Sequence, residues 1–152
     1  MHLRSIFRLL LAVSILAGCV ALGRIGAIAQ TIPTGAFRET VYASADLSGA
    51  VRSQRTVNAI AFDYGTTLPA GWPARPFSVR WEGDFTFEAG TYRFTARTDD
   101  GMRVWVGDSL VIDQWRQQAP KTYTRDVTVT AGTHRVKVEY NDVAGTGVAR
   151  LS

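Results

Sequence analysis

The sequence predicts an all-β protein: one antiparallel β-sandwich, jelly-roll-like, behind an N-terminal signal segment. Three observations carry that prediction. Apolar and polar residues alternate with period two through most of the run from Val79 to Tyr140, the signature of strands with one buried face. Turn pairs such as Ala89-Gly90, Gly107-Asp108 and Ala131-Gly132 separate those runs at short spacing, as in sandwiches. Outside the first residues no segment has a helical period.

Each element follows from the residues. Phe37 to Ala43 alternates weakly and reads as a first strand, Asp46 to Gly49 as a turn, and Val57 to Phe62 as a second strand. Thr66 to Pro76 carries Pro69, Gly71, Pro73 and Pro76 and reads as an irregular loop. Val79, Trp81, Phe85 and Phe87 mark one long strand, with Gly83 inside it suggesting a bulge. Tyr92, Phe94 and Ala96 point to one face and Arg93, Thr95 and Arg97 to the other. The acidic turn Asp99-Asp100-Gly101 leads to Met102, Val104 and Val106, and Gly107-Asp108 suits a tight hairpin into Leu110 and Ile112. Gln117 to Lys121 is loop; Val127 and Val129 precede the Ala131-Gly132 turn. In the last clear strand Val136, Val138 and Tyr140 face in, while Arg135, Lys137 and Glu139 face out. The total is about eight or nine short strands.

The first residues read as an address. Arg4 and Arg8 precede an apolar run from Leu9 to Leu22, the layout of a secretory signal. Ala27-Ile28-Ala29 offers a small-x-small cleavage site that makes 1–29 a signal peptide and starts the mature domain, 30–152, at Gln30. Leu16-Ala17-Gly18-Cys19 instead reads as a lipobox, with 1–18 as lipoprotein signal and Cys19 lipidated. Cys19 is the only cysteine, so no internal disulfide exists. Either reading puts the domain outside the cytoplasm, secreted or lipid-anchored at the cell surface, with the membrane touched only through the lipid. Of the 17 basic residues, Arg4, Arg8 and Arg24 leave with the signal while all 13 acidic ones remain. The mature domain is therefore close to neutral, and nothing in its charge points to nucleic acid.

The acidic turn is where chemistry can sit. By itself Asp-Asp-Gly is a turn in which Asp hydrogen-bonds its own backbone and Gly takes positive φ. Trp81 shares parity with Val79 and reads as core; Trp105 lies opposite Val104 and Val106 and reads as more exposed; Trp115 ends a strand and fits either role. Arg103 and Asp108 read as a cross-strand pair. Catalysis has little support. His134 shares parity with Val136 and reads as structural, no nucleophile motif is present, zinc ligands are lacking, and Asp99 and Asp100 are too close in sequence to flank a glycosidic bond.

Five ordered blocks now identify a resemblance. They are Phe-Ser-Val-Arg-Trp-x-Gly (77–83), Ala-Gly-Thr-Tyr-x-Phe (89–94), Thr-Asp-Asp-Gly-Met-Arg-Val-Trp-Val (98–106), Val-Ile-Asp-x-Trp (111–115) and Ala-Gly-x-His-x-Val-x-Val-Glu-Tyr (131–140). Together they closely resemble the PA-fourteen family, the lectin-like domain named after anthrax protective antigen, from Phe37 to the C-terminus. The resemblance implies an antiparallel β-sandwich. It implies a Ca2+ ion held by Asp99 and Asp100 across a cis peptide, by Asp142 (Asn141 as runner-up), and by carbonyls of Ala144 and Thr146. Calcium takes about six to eight hard oxygens, which carboxylates, carbonyls and sugar hydroxyls supply. The implied function is carbohydrate binding, of a glycan or cell-wall polysaccharide, at Asp99, Asp100, Asp142, Trp105 and Trp115. A non-catalytic structural or protein-interaction sandwich is the alternative. A third reading makes the chain the signal and first domain of a larger enzyme.

Overall fold

The computed structural model describes residues 35–152. The signal readings, Cys19 included, lie outside the described residues. Among the described residues ten strands form: β1 (Phe37–Tyr42), β2 (Val51–Val57), β3 (Ile60–Gly65), β4 (Phe77–Phe87), β5 (Gly90–Asp99), β6 (Gly101–Val106), β7 (Ser109–Gln114), β8 (Lys121–Val129), β9 (Gly132–Asp142) and β10 (Gly147–Leu151). They pair antiparallel into a six-stranded sheet, β2-β1-β4-β9-β6-β7, and a four-stranded sheet, β3-β10-β5-β8. The all-β sandwich predicted from the alternation is the fold observed.

The core lies between the sheets, where inward parity puts it. Val79, Trp81, Phe85 and Phe87 of β4, Val136, Val138 and Tyr140 of β9, and Met102, Val104 and Val106 of β6 are buried from one sheet. Tyr92, Phe94 and Ala96 of β5, with Ile60, Tyr64 and Ala149, are buried from the other. Trp81 links the layers: it is fully buried, stacks on Phe62 of β3 at 5.7 Å, and donates its indole N–H to Glu39 Oε2 at 3.0 Å. Glu39 is itself buried and held by Arg55, whose Nε lies 2.5 Å from Oε1. A buried carboxylate needs such partners to offset its lost hydration.

Three expectations are corrected, and two side chains have surroundings that alternation does not specify. Val57–Phe62 is not one strand: Val57 ends β2 in the six-stranded sheet and Ile60 begins β3 in the four-stranded one, so the chain changes layers at 58–59. Gly83 is no bulge, because β4 pairs with β9 in unbroken register from Phe77 to Phe87. It serves close approach, since a Cβ there would stand 2.5 Å from Ala36 O. Leu110 is exposed although Ile112, two residues on, is buried, because the register shifts between Val104 and Trp105. Glu139 does face outward but is buried, covered by Arg80 at 2.8 Å and Arg103 at 2.6 Å from the flanking strands. Arg103 therefore pairs with Glu139 and not with Asp108.

Candidate functional site

Sandwich topology makes the two ends unlike. At one end the chain changes sheet through two-residue links at 58–59, 88–89 and 130–131. At the other, four sheet-to-sheet connections converge: 66–76, the Asp99-Asp100-Gly101 corner, 115–120 and 143–146. Register places them together, since Gly101 faces Asn141, Phe77 faces Asp142, Val148 faces Asp99 and Gly147 faces Gly65.

The acidic corner is thus the point where β5 leaves one sheet and β6 enters the other. The peptide between Asp99 and Asp100 is cis. Both aspartates are buried as residues, yet both line an open cleft of about 400 Å³ with the Gln117–Pro120 stretch and the Ala144–Thr146 loop tip. Asp100 ties the corner to both loops: Oδ1 accepts the Gln118 N–H at 3.1 Å, and Oδ2 accepts the Val143 N–H at 2.8 Å. Gln118 Nε2 also donates to Asp100 O at 3.1 Å. Asp99 is less engaged: Oδ2 accepts the Thr146 hydroxyl at 3.0 Å, and its carbonyl accepts the buried Tyr140 hydroxyl at 2.5 Å.

Asp142 lies behind the cleft and does not line it. It is fully buried; Oδ1 accepts Arg75 Nε at 2.7 Å, and Oδ2 is buried with no hydrogen-bond partner. Asn141 braces the corner, its Oδ1 accepting the Gly101 N–H at 2.8 Å. Trp105 and Trp115 also lie off the cleft. Both are half-buried and share Arg103, whose guanidinium stands 5.4 Å from the Trp105 ring and 4.2 Å from that of Trp115. Lys137 Nζ covers Trp105 at 3.8 Å, so cations already occupy aromatic faces that sugar stacking would use. His134 packs on Phe87 near the opposite end, with Nε2 2.9 Å from Thr130 O, as a structural residue does. Reading the sequence missed Arg75 and Gln118. Each reaches the site from a loop with no motif, and only the converging connections bring it there.

Burial sets the charge balance. It raises the Asp99 carboxyl above the ordinary carboxylate range; the Thr146 hydroxyl pulls the other way, Asp100 raises it further and Arg75 lowers it. Burial likewise raises Asp142, against the pull of Arg75 and with the push of Asp100 and Asp99. A carboxyl whose folded pKa exceeds its unfolded one holds its proton more tightly when folded. Stability therefore falls as pH rises through the window between the two values. Metal-free protein is expected to gain stability as pH drops from about 7 toward the ordinary carboxylate range near 4, and Asp99→Asn to flatten that gain. Melts in chelator check this; a steady loss of stability over the interval would overturn it.

A PA14 domain model matches residues 34–152, all the described residues and most of the chain. The chain belongs to the PA14 domain family. The PA14 match agrees with the resemblance read from the five blocks. Anti-sigma-I factor RsgI3 of Acetivibrio thermocellus is 34% identical over 95 residues, 60% of this chain and 15% of that protein, so the chain spans a small part of this curated relative. A solved anti-sigma factor domain-containing protein is 28% identical with a TM-score of 0.70, the match covering 79% of this chain and 41% of that one. A PA14 sugar-binding domain from an RTX adhesin shares the fold at 22% identity and a TM-score of 0.60, over 82% of this chain and 89% of that one.

Proposed function

We propose that this PA14 domain is an extracytoplasmic, non-catalytic carbohydrate-binding module that takes sugar hydroxyls at the Asp99–Asp100 cleft with the help of a calcium ion. One observation carries the reading: two adjacent carboxylates, delivered by one sheet crossing, share an open cleft with the 143–146 loop. The adhesin relative, described as sugar-binding, and the signal-like first residues agree with it.

The donors fit a hard cation in part. Among the described residues no group of three or more His, Cys, Asp or Glu is placed to hold a metal, so the Asp99 and Asp100 carboxylates would need the Ala144 and Thr146 carbonyls to complete a shell. The unpartnered, buried Asp142 Oδ2 behind them is the kind of orphan acceptor that a cation satisfies. Calcium bound there would supply a hard centre for vicinal hydroxyls. The chain's own residues do the rest: the exposed Gln117 offers an amide to hydroxyls, and Ala119 with Pro120 gives an apolar wall for the sugar's C–H face. A protein-interaction module without a sugar site is the second reading. The backbone amides on Asp100 and the Arg75 pair on Asp142 favour it, since a self-satisfied corner needs no metal.

Calorimetric titration with calcium chloride, followed by a glycan array with calcium or with chelator, tests the proposal. Calcium is expected to bind with a Kd on the order of 10⁻⁴ M, the range of extracellular modules. Asp99→Asn keeps an oxygen for Thr146 and should weaken calcium and glycan binding by about tenfold or more. A folded protein that binds no glycan in either condition would make the domain an interaction module.

A further inference from the structure

The acidic cluster carries a cation of its own. Asp99, Asp100 and Asp142 are all buried and come from two neighbouring sheet crossings. Among the described residues their ion-pair partner is Arg75, from the end of the 66–76 connection, with Nε 2.7 Å from Asp142 Oδ1. The guanidinium is not a loose surface group. It is 14% exposed, donates through Nη2 to Gly65 O at 2.9 Å and through Nη1 to Thr66 O at 3.4 Å, and so bridges the end of β3 to the end of β9. Asp142 cannot turn away from it easily: the side chain is fully buried, and Oδ2 packs so closely on Gly147 that a Cβ there would overlap it.

The donor geometry leads to competition. Asp142 has one oxygen taken by Arg75 and one without a partner. A divalent ion drawn to the free oxygen meets a fixed positive charge on the other side of the same carboxylate. Like charges a few ångströms apart in a partly buried site repel strongly enough to cost a factor of about ten or more in affinity. Without metal, the same guanidinium relieves the repulsion among three carboxylates. We infer that Arg75 is a resident counter-ion of the acidic cluster, holding the corner folded without metal and keeping its affinity for a divalent cation low. The inference rests on the calcium reading above and names the residue that regulates that site.

Arg75→Gln removes the charge and keeps a donor for Gly65 O. The full chain and this variant are melted in chelator and titrated with calcium chloride. The variant is expected to melt roughly 10 °C lower without calcium, having lost one partner of a buried pair. It is expected to bind calcium about tenfold more tightly than the native chain. Adding Asp142→Asn should regain part of the lost melting temperature, because no unpaired buried carboxylate then remains. If the native chain binds calcium and Arg75→Gln binds it no more tightly, the inference fails while the calcium reading stands. If only the variant binds, the inference stands and the native chain works without metal. If neither binds, both fail. Should Arg75→Gln not fold under either condition, Arg75→Lys decides: a counter-ion role predicts affinity within about threefold of native, and a loss beyond that overturns it.

Discussion

Replacing Trp81 with alanine is expected to lower the melting temperature by roughly 10–20 °C, the largest effect of any core substitution in this domain. The indole is fully buried in β4 and crosses the space between the sheets. It stacks on Phe62 of the four-stranded sheet at 5.7 Å and packs at 6.1 Å on Tyr140 of the six-stranded one. Deleting a buried aromatic of this size costs about 3–5 kcal/mol, because the removed surface returns to water and the cavity closes only in part. The change also removes the N–H donor from Glu39, a carboxylate with no exposure and only Arg55 left to hold it. A domain of this size has about 5–15 kcal/mol in total, so the loss is a large share. Trp81→Phe separates the two terms, keeping most of the packing and dropping the hydrogen bond; its fall should be well under half that of alanine. Thermal melts of the three proteins decide it. A fall below about 5 °C for alanine would mean that the layers do not depend on this contact.

Asp100→Ala is expected to destabilise the fold by about 2–6 kcal/mol and to abolish the glycan binding proposed for the cleft. Its two carboxylate oxygens each accept a backbone N–H, from Gln118 in one loop and Val143 in the other. Removing both acceptors strands two donors in a partly buried corner, at about 1–3 kcal/mol each. Asparagine is no remedy, because its amide nitrogen would face one of the N–H groups. Asp100→Asn should therefore also lose stability, whereas Asp99→Asn, facing a Thr146 hydroxyl that can turn, should not. Hydrogen exchange gives a local readout. The Gln118 and Val143 amides should lose protection in Asp100→Ala while the centres of β4 and β9 keep theirs. Unchanged protection at both amides would contradict the role assigned to Asp100.

The sequence made some of this legible and hid the rest. Strands with one face in the core announced themselves: β4, β5 and β9 each show an alternation that burial enforces, and their inward residues are the ones expected. β2 did not, because Val51 to Val57 is an edge strand with mostly exposed residues and thus no face to encode. Its last residue and the first of β3 looked like one strand, since periodicity does not reveal a change of sheet across two residues. Glu139 had the right parity and the wrong environment. Arg80 and Arg103 cover it only because β4 and β6 flank β9 in matching register.

The site divides in the same way. The Asp99-Asp100-Gly101 corner and the loop after Tyr140 were visible as motifs, and the family followed from five blocks in order. That Asp100 would be tied down by Gln118 and Val143, that Trp105 and Trp115 would stand off the cleft under cations, and that Arg75 would reach Asp142 from 67 residues away were not. By itself the sequence determined the fold class, the inward face of the central strands and the acidic corner, because these depend on neighbours one to four positions along the chain. Only the tertiary structure decided which charges meet, because partners on different strands and connections are set by sheet order and register, and a shift of one residue in register would bring a different set together.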